Sequence, residues 1–209
     1  AACFETYAGR GIVPWDYPLN FGAALARPSS AQIVAQADCV VAIGTELAEV
    51  DLWRAHLGHS CPLYRIDIDP ECLADMQRAE VAILARAEEA MASLRPLMAD
   101  SLSQWQVQSV AHQRGLWRAE TESERPGIIS IIEALRAVVP EDAMVYSDMT
   151  QFAYVANEIW PMTRAKHWHH PSGFGTLGYA LPAAIGGAVA RPGKPTLAIA
   201  GDYGFQYSV

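Results

Sequence analysis

The sequence predicts an α/β fold made of two doubly wound parallel-sheet domains, and three observations carry that prediction. Short apolar runs ending at Gly, Asp or Ser alternate with helix-patterned stretches in both halves of the chain. The runs are continuous rather than alternating, as in strands buried on both faces. The 209 residues are 51% hydrophobic and 18% charged, enough apolar material for a sizeable core.

The elements follow in order. Residues 1–30 are loop-rich, with turn formers Gly9, Gly11, Pro14 and Pro18 in GRGIVPWDYPLNFG. A short helix is predicted over 31–37, then a buried strand over 39–43 that stops at Gly44. Residues 45–59 read as loop plus helix, and a second strand over 63–68 runs into Asp69 and Pro70. Strand, helix, strand makes a βαβ unit, for which a right-handed crossover is expected. A further apolar run, 81–84, precedes an Ala- and Glu-rich helix over 86–99. Residues 101–124 are polar and helix-prone, hold Trp105 and Trp117 as packing anchors, and read as a connector between domains.

A second unit opens at Pro126, where Ile128, Ile129, Ile131, Ile132, Leu135 and Val138 fall at helical spacing. A strand over 143–146 ends in Ser147 and Asp148, and a helix over roughly 152–159 and a loop over 161–174 follow. Residues 177–189 are small and helical in spacing, with Pro182 near the start, where proline is tolerated. The last strand, 196–200, runs into GDYGFQYS. The domains are therefore set at 1–100 and 125–209, with the connector at 101–124.

Charge and composition exclude some function classes. A net charge of -8 argues against a nucleic-acid partner, since phosphate binding needs a basic face. No run approaches the ~18 apolar residues of a membrane span, and nothing resembles a signal peptide. Cys3, Cys39, Cys61 and Cys72 form no CxxC, and are expected as buried free thiols in a reducing cytoplasm. With no initiating Met and a stop just after a strand and glycine turn, the chain is expected to be a piece of a longer protein.

Two glycine-rich segments carry the chemistry. In AIAGDYGFQYS (198–208), an apolar strand ends in Gly201 and Asp202, at the carboxyl edge where parallel sheets bind ligands. Glycine lets the backbone approach a phosphate, and a lone carboxylate there suits Mg²⁺; an ordinary strand-to-helix turn is the alternative. In GFGTLGYALPAAIGGA (173–188), Gly173, Gly175 and Gly178 surround Thr176 and Leu177 in a loop that turns into a helix. A helix amino terminus can hold an anion, or the small residues can serve close packing alone. Asp148 is either functional or a cap of the next helix. His167, His169 and His170 lie too close together in HWHHP for good metal geometry, and suit a loop flanking the site.

Together these two segments resemble the diphosphate-binding domain of the thiamine-diphosphate enzymes, in the acetolactate synthase, 2-oxo acid decarboxylase and carboligase group. AGRGIVPWDYPLNFG, ADCVVAIGTEL and LYRIDIDPE resemble the family's central, Rossmann-like domain, so the likeness covers essentially the whole chain. The resemblance implies that the diphosphate-binding domain is incomplete here and that the central domain lacks its opening strand and helix. It implies thiamine diphosphate and Mg²⁺ as cofactors, with Asp202 as the metal ligand. The implied cofactor contacts are Thr150, Gln151, Gly175, Thr176, Leu177, Gly201, Asp202, Tyr203 and Gly204. Tyr203 replaces a family glycine, which puts the turn geometry in question. Leu177 would force the cofactor's bent shape, and the Gly175 carbonyl would accept from its pyrimidine amine. The family's catalytic Glu lies in a domain outside this chain, so no catalytic residue is expected here, and the chain alone is expected to be inactive.

FAD or another nucleotide is not the main expectation, because Asp67 and Asp69 follow a strand with no GxGxxG beside them. The implied activity is decarboxylation or carboligation of a small-molecule 2-oxo acid by a cytoplasmic homodimer or homotetramer, as a lyase or transferase. The leading substrate is a larger acid such as 2-oxo-5-guanidinopentanoate. Acetolactate synthesis is the alternative, and a non-catalytic nucleotide-binding Rossmann module is the alternative from another class.

Overall fold

Continuous β-branched and aliphatic runs become the strands, and the glycines and acids that end them become the sheet edges. The computed structural model describes residues 1–98 and 102–208. The chain divides into two compact units, one of Ala1 and Leu25–Gln104, the other of Ala2–Ala24 and Trp105–Val209. The expected boundary at 100 and 101 and the last residue of the helix predicted over 86–99 lie outside the described residues.

The first unit contains α1 (Ser30–Val34), β1 (Val40–Ile43), α2 (Glu49–Leu52), β2 (Leu63–Asp67), α3 (Pro70–Leu73), β3 (Val81–Leu84) and α4 (Ala87–Leu94). A single turn of 3₁₀ helix, Arg95–Met98, extends α4. The sheet order is β1-β2-β3, all parallel, with Val41, Tyr64 and Val81 in register. Leu63 and Ile66 of the central strand are buried, whereas Val41, Ile43 and Val81 stay exposed, so this sheet is only partly covered within the described residues. Arg65 is buried in β2 and reaches Asp75, the carbonyl of Thr45 at 3.0 Å and that of Gln77 at 3.2 Å. It thereby ties the turns after β1 and β2 to the sheet. The helix α3 was not expected. Its cap is Asp69, whose side chain accepts from Glu71 N at 2.9 Å, with Pro70 in the first turn, so the Asp-Pro pair starts a helix as well as ending a strand.

The second unit contains α5 (Val107–Glu124), α6 (Ile128–Val138), β4 (Met144–Ser147), α7 (Gln151–Ile159), β5 (Trp168–His169), α8 (Ala180–Ala190), β6 (Thr196–Ile199) and α9 (Asp202–Gln206). Its sheet order is β5-β4-β6, again all parallel. Successive residues of β4 face opposite layers. Val145 joins Ile129 and Ile132 of α6 and Val155 of α7 in one buried cluster. Tyr146 faces α8, where a Cβ placed on Gly187 would lie 2.3 Å from its hydroxyl. Helices therefore cover both faces of this sheet, as the doubly wound class requires.

Residues Ala2–Ala24 pack within this second unit, although they precede the first in sequence. Aromatic contacts account for it. Phe4 and Phe21 stack at 4.7 Å, and Phe21 meets Trp105 at 5.6 Å and Trp117 at 5.9 Å. The stretch read as a connector thus supplies α5, whose Trp117 is buried. Arg10, buried from the same segment, donates to the Ala156 carbonyl at 2.9 Å and to Asn157 Oδ1 at 3.2 Å, at the end of α7.

Candidate functional site at the carboxyl edge of the second sheet

The strands β4, β5 and β6 deliver Ser147–Asp148, His169–His170 and Gly201–Asp202 to one sheet edge. Thr150 caps α7, its Oγ1 accepting from Ala153 N at 3.0 Å, and Gln151 is the exposed first residue of that helix. A Cβ built on Gly201 would sit 3.7 Å from Thr150 Cγ2, so the ends of β4 and β6 are neighbours. Asp202 opens α9 with its side chain exposed. Tyr203 is also exposed and lies inside the helix, so the position needs no left-handed backbone, and a residue with a Cβ fits where the family pattern has glycine.

The glycine segment lies beside them. Gly175 has φ +64 and Gly178 φ +83, a region that favours glycine. The Gly175 amide donates to the Pro171 carbonyl at 2.8 Å. Thr176 and Leu177 are exposed, and α8 starts at Ala180 rather than at 177, because the left-handed Gly178 interrupts the helical path. Gly178 is also held from just beyond the end of α9, since Ser208 Oγ donates to its carbonyl at 2.8 Å.

The junction between the two segments is Asp148, whose role the sequence left open. It is fully buried and caps α8 rather than the next helix, α7. One carboxylate oxygen accepts from Ala180 N at 2.7 Å, the other from Gly178 N at 3.1 Å. Gly204 lies against it, with an added Cβ at 2.2 Å from Oδ2. The sequence clue was an acid at a strand end, but nothing local revealed that its partners lie 30 and 32 residues away.

The histidine run does not form a cluster. Trp168 and His169 make β5, where His169 stacks on Tyr146 at 4.8 Å. The His170 ring and Ser147 Oγ hydrogen-bond through Nδ1 at 2.9 Å. Burial, reinforced by the nearby positive Arg10, pushes the His170 pKa down to about 4, against the opposing pull of Ser147 and Asp148. His170 is thus a neutral imidazole near neutral pH. Burial likewise lowers the pKa of Arg10 to about 9, with Glu5 and Tyr7 opposing, so the guanidinium keeps its charge.

Among the described residues no three His, Cys, Asp or Glu side chains gather to hold a metal. A cation here would take Asp202 as its carboxylate and fill its shell with phosphate and water oxygens, which is how Mg²⁺ ordinarily binds. An exposed carboxylate beside Gly201, whose nearest neighbour for an added Cβ is Thr150 Cγ2 at 3.7 Å, fits that requirement. In the first unit, Asp67 Oδ1 accepts from Asp69 N at 3.0 Å and Asp69 caps α3, so both acids serve local turns. The four cysteines are free, and none is buried as the sequence led one to expect; Cys39 is exposed. No helix among the described residues is long and apolar enough to cross a membrane.

Comparison with known proteins agrees with this arrangement. The family described as thiamine pyrophosphate enzyme, central domain, matches residues 1–94. The one described as thiamine pyrophosphate enzyme, C-terminal TPP binding domain, matches residues 148–209. The chain belongs to the thiamine pyrophosphate enzyme family. It is 38% identical over 210 residues to the probable 2-ketoarginine decarboxylase AruI of Pseudomonas aeruginosa, a match covering 100% of this chain and 38% of that protein. It is 28% identical to the acetolactate synthase isozyme 1 large subunit of Escherichia coli, over 94% of this chain and 36% of that protein. Pyruvate oxidase of Lactiplantibacillus plantarum is also 28% identical, over 96% of this chain and 34% of that protein. The chain thus spans under two-fifths of the length of these relatives.

Proposed function

We propose that the protein carrying this chain uses thiamine diphosphate and Mg²⁺ to decarboxylate a 2-oxo acid, with 2-oxo-5-guanidinopentanoate as the leading substrate. One observation carries the reading: the strand ends at Thr150 and Gly201 and the glycine segment 175–178 lie together at one sheet edge, with the Asp202 carboxylate exposed beside them. The substrate follows from the 38% identity to a probable 2-ketoarginine decarboxylase, against 28% to an acetolactate synthase. Acetolactate synthesis, a carboligation, is the second reading, favoured by that same relative. A nucleotide-binding module without catalysis, or with FAD, has less support, since Asp67 and Asp69 serve their own turns.

When bound, thiamine diphosphate supplies the electron sink for loss of CO₂ from a 2-oxo acid. This chain's share is positioning and electrostatics. Asp202 would hold the metal, whose charge offsets that of the diphosphate. Gly201 would leave room for phosphate oxygens, with Tyr203, Thr150 and Gln151 at the margin of the same cradle, while Gly204 lies behind it, buried against Asp148. The Gly175 carbonyl would accept from the cofactor's pyrimidine amine, with Thr176 beside it and Leu177 supplying an apolar side chain against it. The neutral His170 hydrogen-bonds Ser147 at the same sheet edge. On this reading the catalytic acid comes from outside these 209 residues, which alone are inactive, and the full-length protein works as a homodimer or homotetramer, a lyase or transferase.

The test is CO₂ release by the full-length protein over a panel of 2-oxo acids, with and without thiamine diphosphate and Mg²⁺, beside Asp202→Ala. Cofactor-dependent release from 2-oxo-5-guanidinopentanoate, lost in the variant, is the expected result. Acetolactate formed from pyruvate would favour the second reading. Failure to bind thiamine diphosphate would overturn both.

A further inference from the structure

We infer that Asp148 is a positioning residue, one buried carboxylate that sets the glycine segment 175–178 and the start of α9 in fixed relation and so sets the affinity for thiamine diphosphate. The inference rests on the proposed cofactor reading and adds to it a residue that touches no ligand.

Three contacts converge on this side chain. Its two oxygens accept from Gly178 N at 3.1 Å and Ala180 N at 2.7 Å. The residue just before α8, Tyr179, offers no side-chain cap of its own, so the helix takes its cap from the end of β4. On the opposite side, Gly204 of α9 packs so closely that a Cβ would stand 2.2 Å from Oδ2. Gly178 is in turn pinned to α9 and the residues just after it, because its own Cβ would fall 3.5 Å from Gly204 O and 2.8 Å from Tyr207 Cβ, and Ser208 Oγ bonds its carbonyl. The carboxylate, the left-handed glycine and the first turn of α9 therefore form a closed loop of contacts. Both segments that carry the implied cofactor contacts move if any member moves.

A carboxylate suits this place better than a neutral group. It accepts at both oxygens, and a charged acceptor makes the stronger bond to a backbone N–H. Alanine leaves two buried donors without a partner. Asparagine offers one acceptor and turns a donor toward the other amide.

The experiment compares the full-length wild type with Asp148→Ala, Asp148→Asn, Gly204→Ala and the Gly204→Ala/Asp148→Ala double variant. Amide hydrogen exchange at 178 and 180 is read on the cofactor-free proteins, thiamine diphosphate affinity by calorimetry with Mg²⁺, and folding by circular dichroism. Asp148→Ala is expected to speed exchange at both amides and to weaken cofactor binding by about tenfold or more. Asp148→Asn is expected to lose protection at one amide only, with an intermediate affinity. Gly204→Ala weakens binding in the wild-type background and adds little in the Asp148→Ala background, where the clash is gone. A folded Asp148→Ala protein with unchanged exchange at 178 and 180 overturns the inference, as does unchanged cofactor affinity. If Asp148→Ala fails to fold, the non-additivity test runs on Gly204→Ala with Asp148→Ser, whose shorter side chain also removes the atom that the added Cβ strikes, and additive losses there overturn it. A wild type that binds no thiamine diphosphate refutes the functional reading alone, and the exchange data still decide whether Asp148 ties the two segments.

Discussion

Gly186 and Gly187 are neighbours in α8 and meet different surroundings. A Cβ on Gly186 would enter open space, whereas one on Gly187 would strike the Tyr146 ring and hydroxyl. Glycine inside a helix costs about 0.5–1 kcal/mol relative to alanine, so Gly186→Ala is expected to stabilise the protein by about that much. Gly187→Ala is expected to destabilise it by about 1–3 kcal/mol, because α8 must lift from β4. Urea unfolding of the two variants checks both signs. Equal effects would mean that α8 does not rest on Tyr146. The same residue type was legible in the sequence at both positions. Which glycine is a contact and which is a vacant site depends on a tyrosine about forty residues away in the chain, beyond any local pattern.

At the scale of elements, periodicity and apolar runs located most strands and helices. The exceptions have definite causes. Four-residue α3 is started by the Asp69 cap and Pro70, which also read as a strand-ending turn. Two-residue β5 is too short to show a period and exists because Val145 and Tyr146 of β4 offer it partners. The start of α8 moved to Ala180 because a residue with φ +83 precedes it. The segment Ala2–Ala24 is fastened to the second unit by Arg10, whose guanidinium meets the Tyr7 and Ala156 carbonyls and Asn157 Oδ1, and lies over the Trp168 ring at 5.0 Å. Removing it leaves buried acceptors unsatisfied. Arg10→Ala is therefore expected to cost about 2–4 kcal/mol, and Arg10→Lys more than half of that, since one ammonium cannot span the three acceptors. Chemical denaturation measures both, and a loss below about 0.5 kcal/mol would show that this segment is not fastened by Arg10.

Across the whole chain, half-buried His170 couples stability to acidity. Its folded pKa, about 4, lies below the ordinary 6.5, so between those values the unfolded chain binds a proton that the folded one does not. Stability therefore falls as the pH drops through that window and is insensitive to this group above it. Denaturation midpoints at about pH 7 and about pH 5 are expected to differ more in the wild type than in His170→Asn. Equal differences would mean that His170 titrates normally when folded.

The sequence by itself determined the α/β class, the order of the main strands and helices, and the two glycine segments that carry the family likeness. These depend on short-range properties: runs of apolar residues, helical spacing, and residues that stop a strand. Only the tertiary structure decided that Ala2–Ala24 joins the second unit, that Trp105 and Trp117 pack on Phe21, and that Asp148 serves α8 and α9 rather than α7. Each of those is a contact between residues distant in the chain. The identity of the residues permits such contacts, but only the closed packing of the sheet and its helices selects among them.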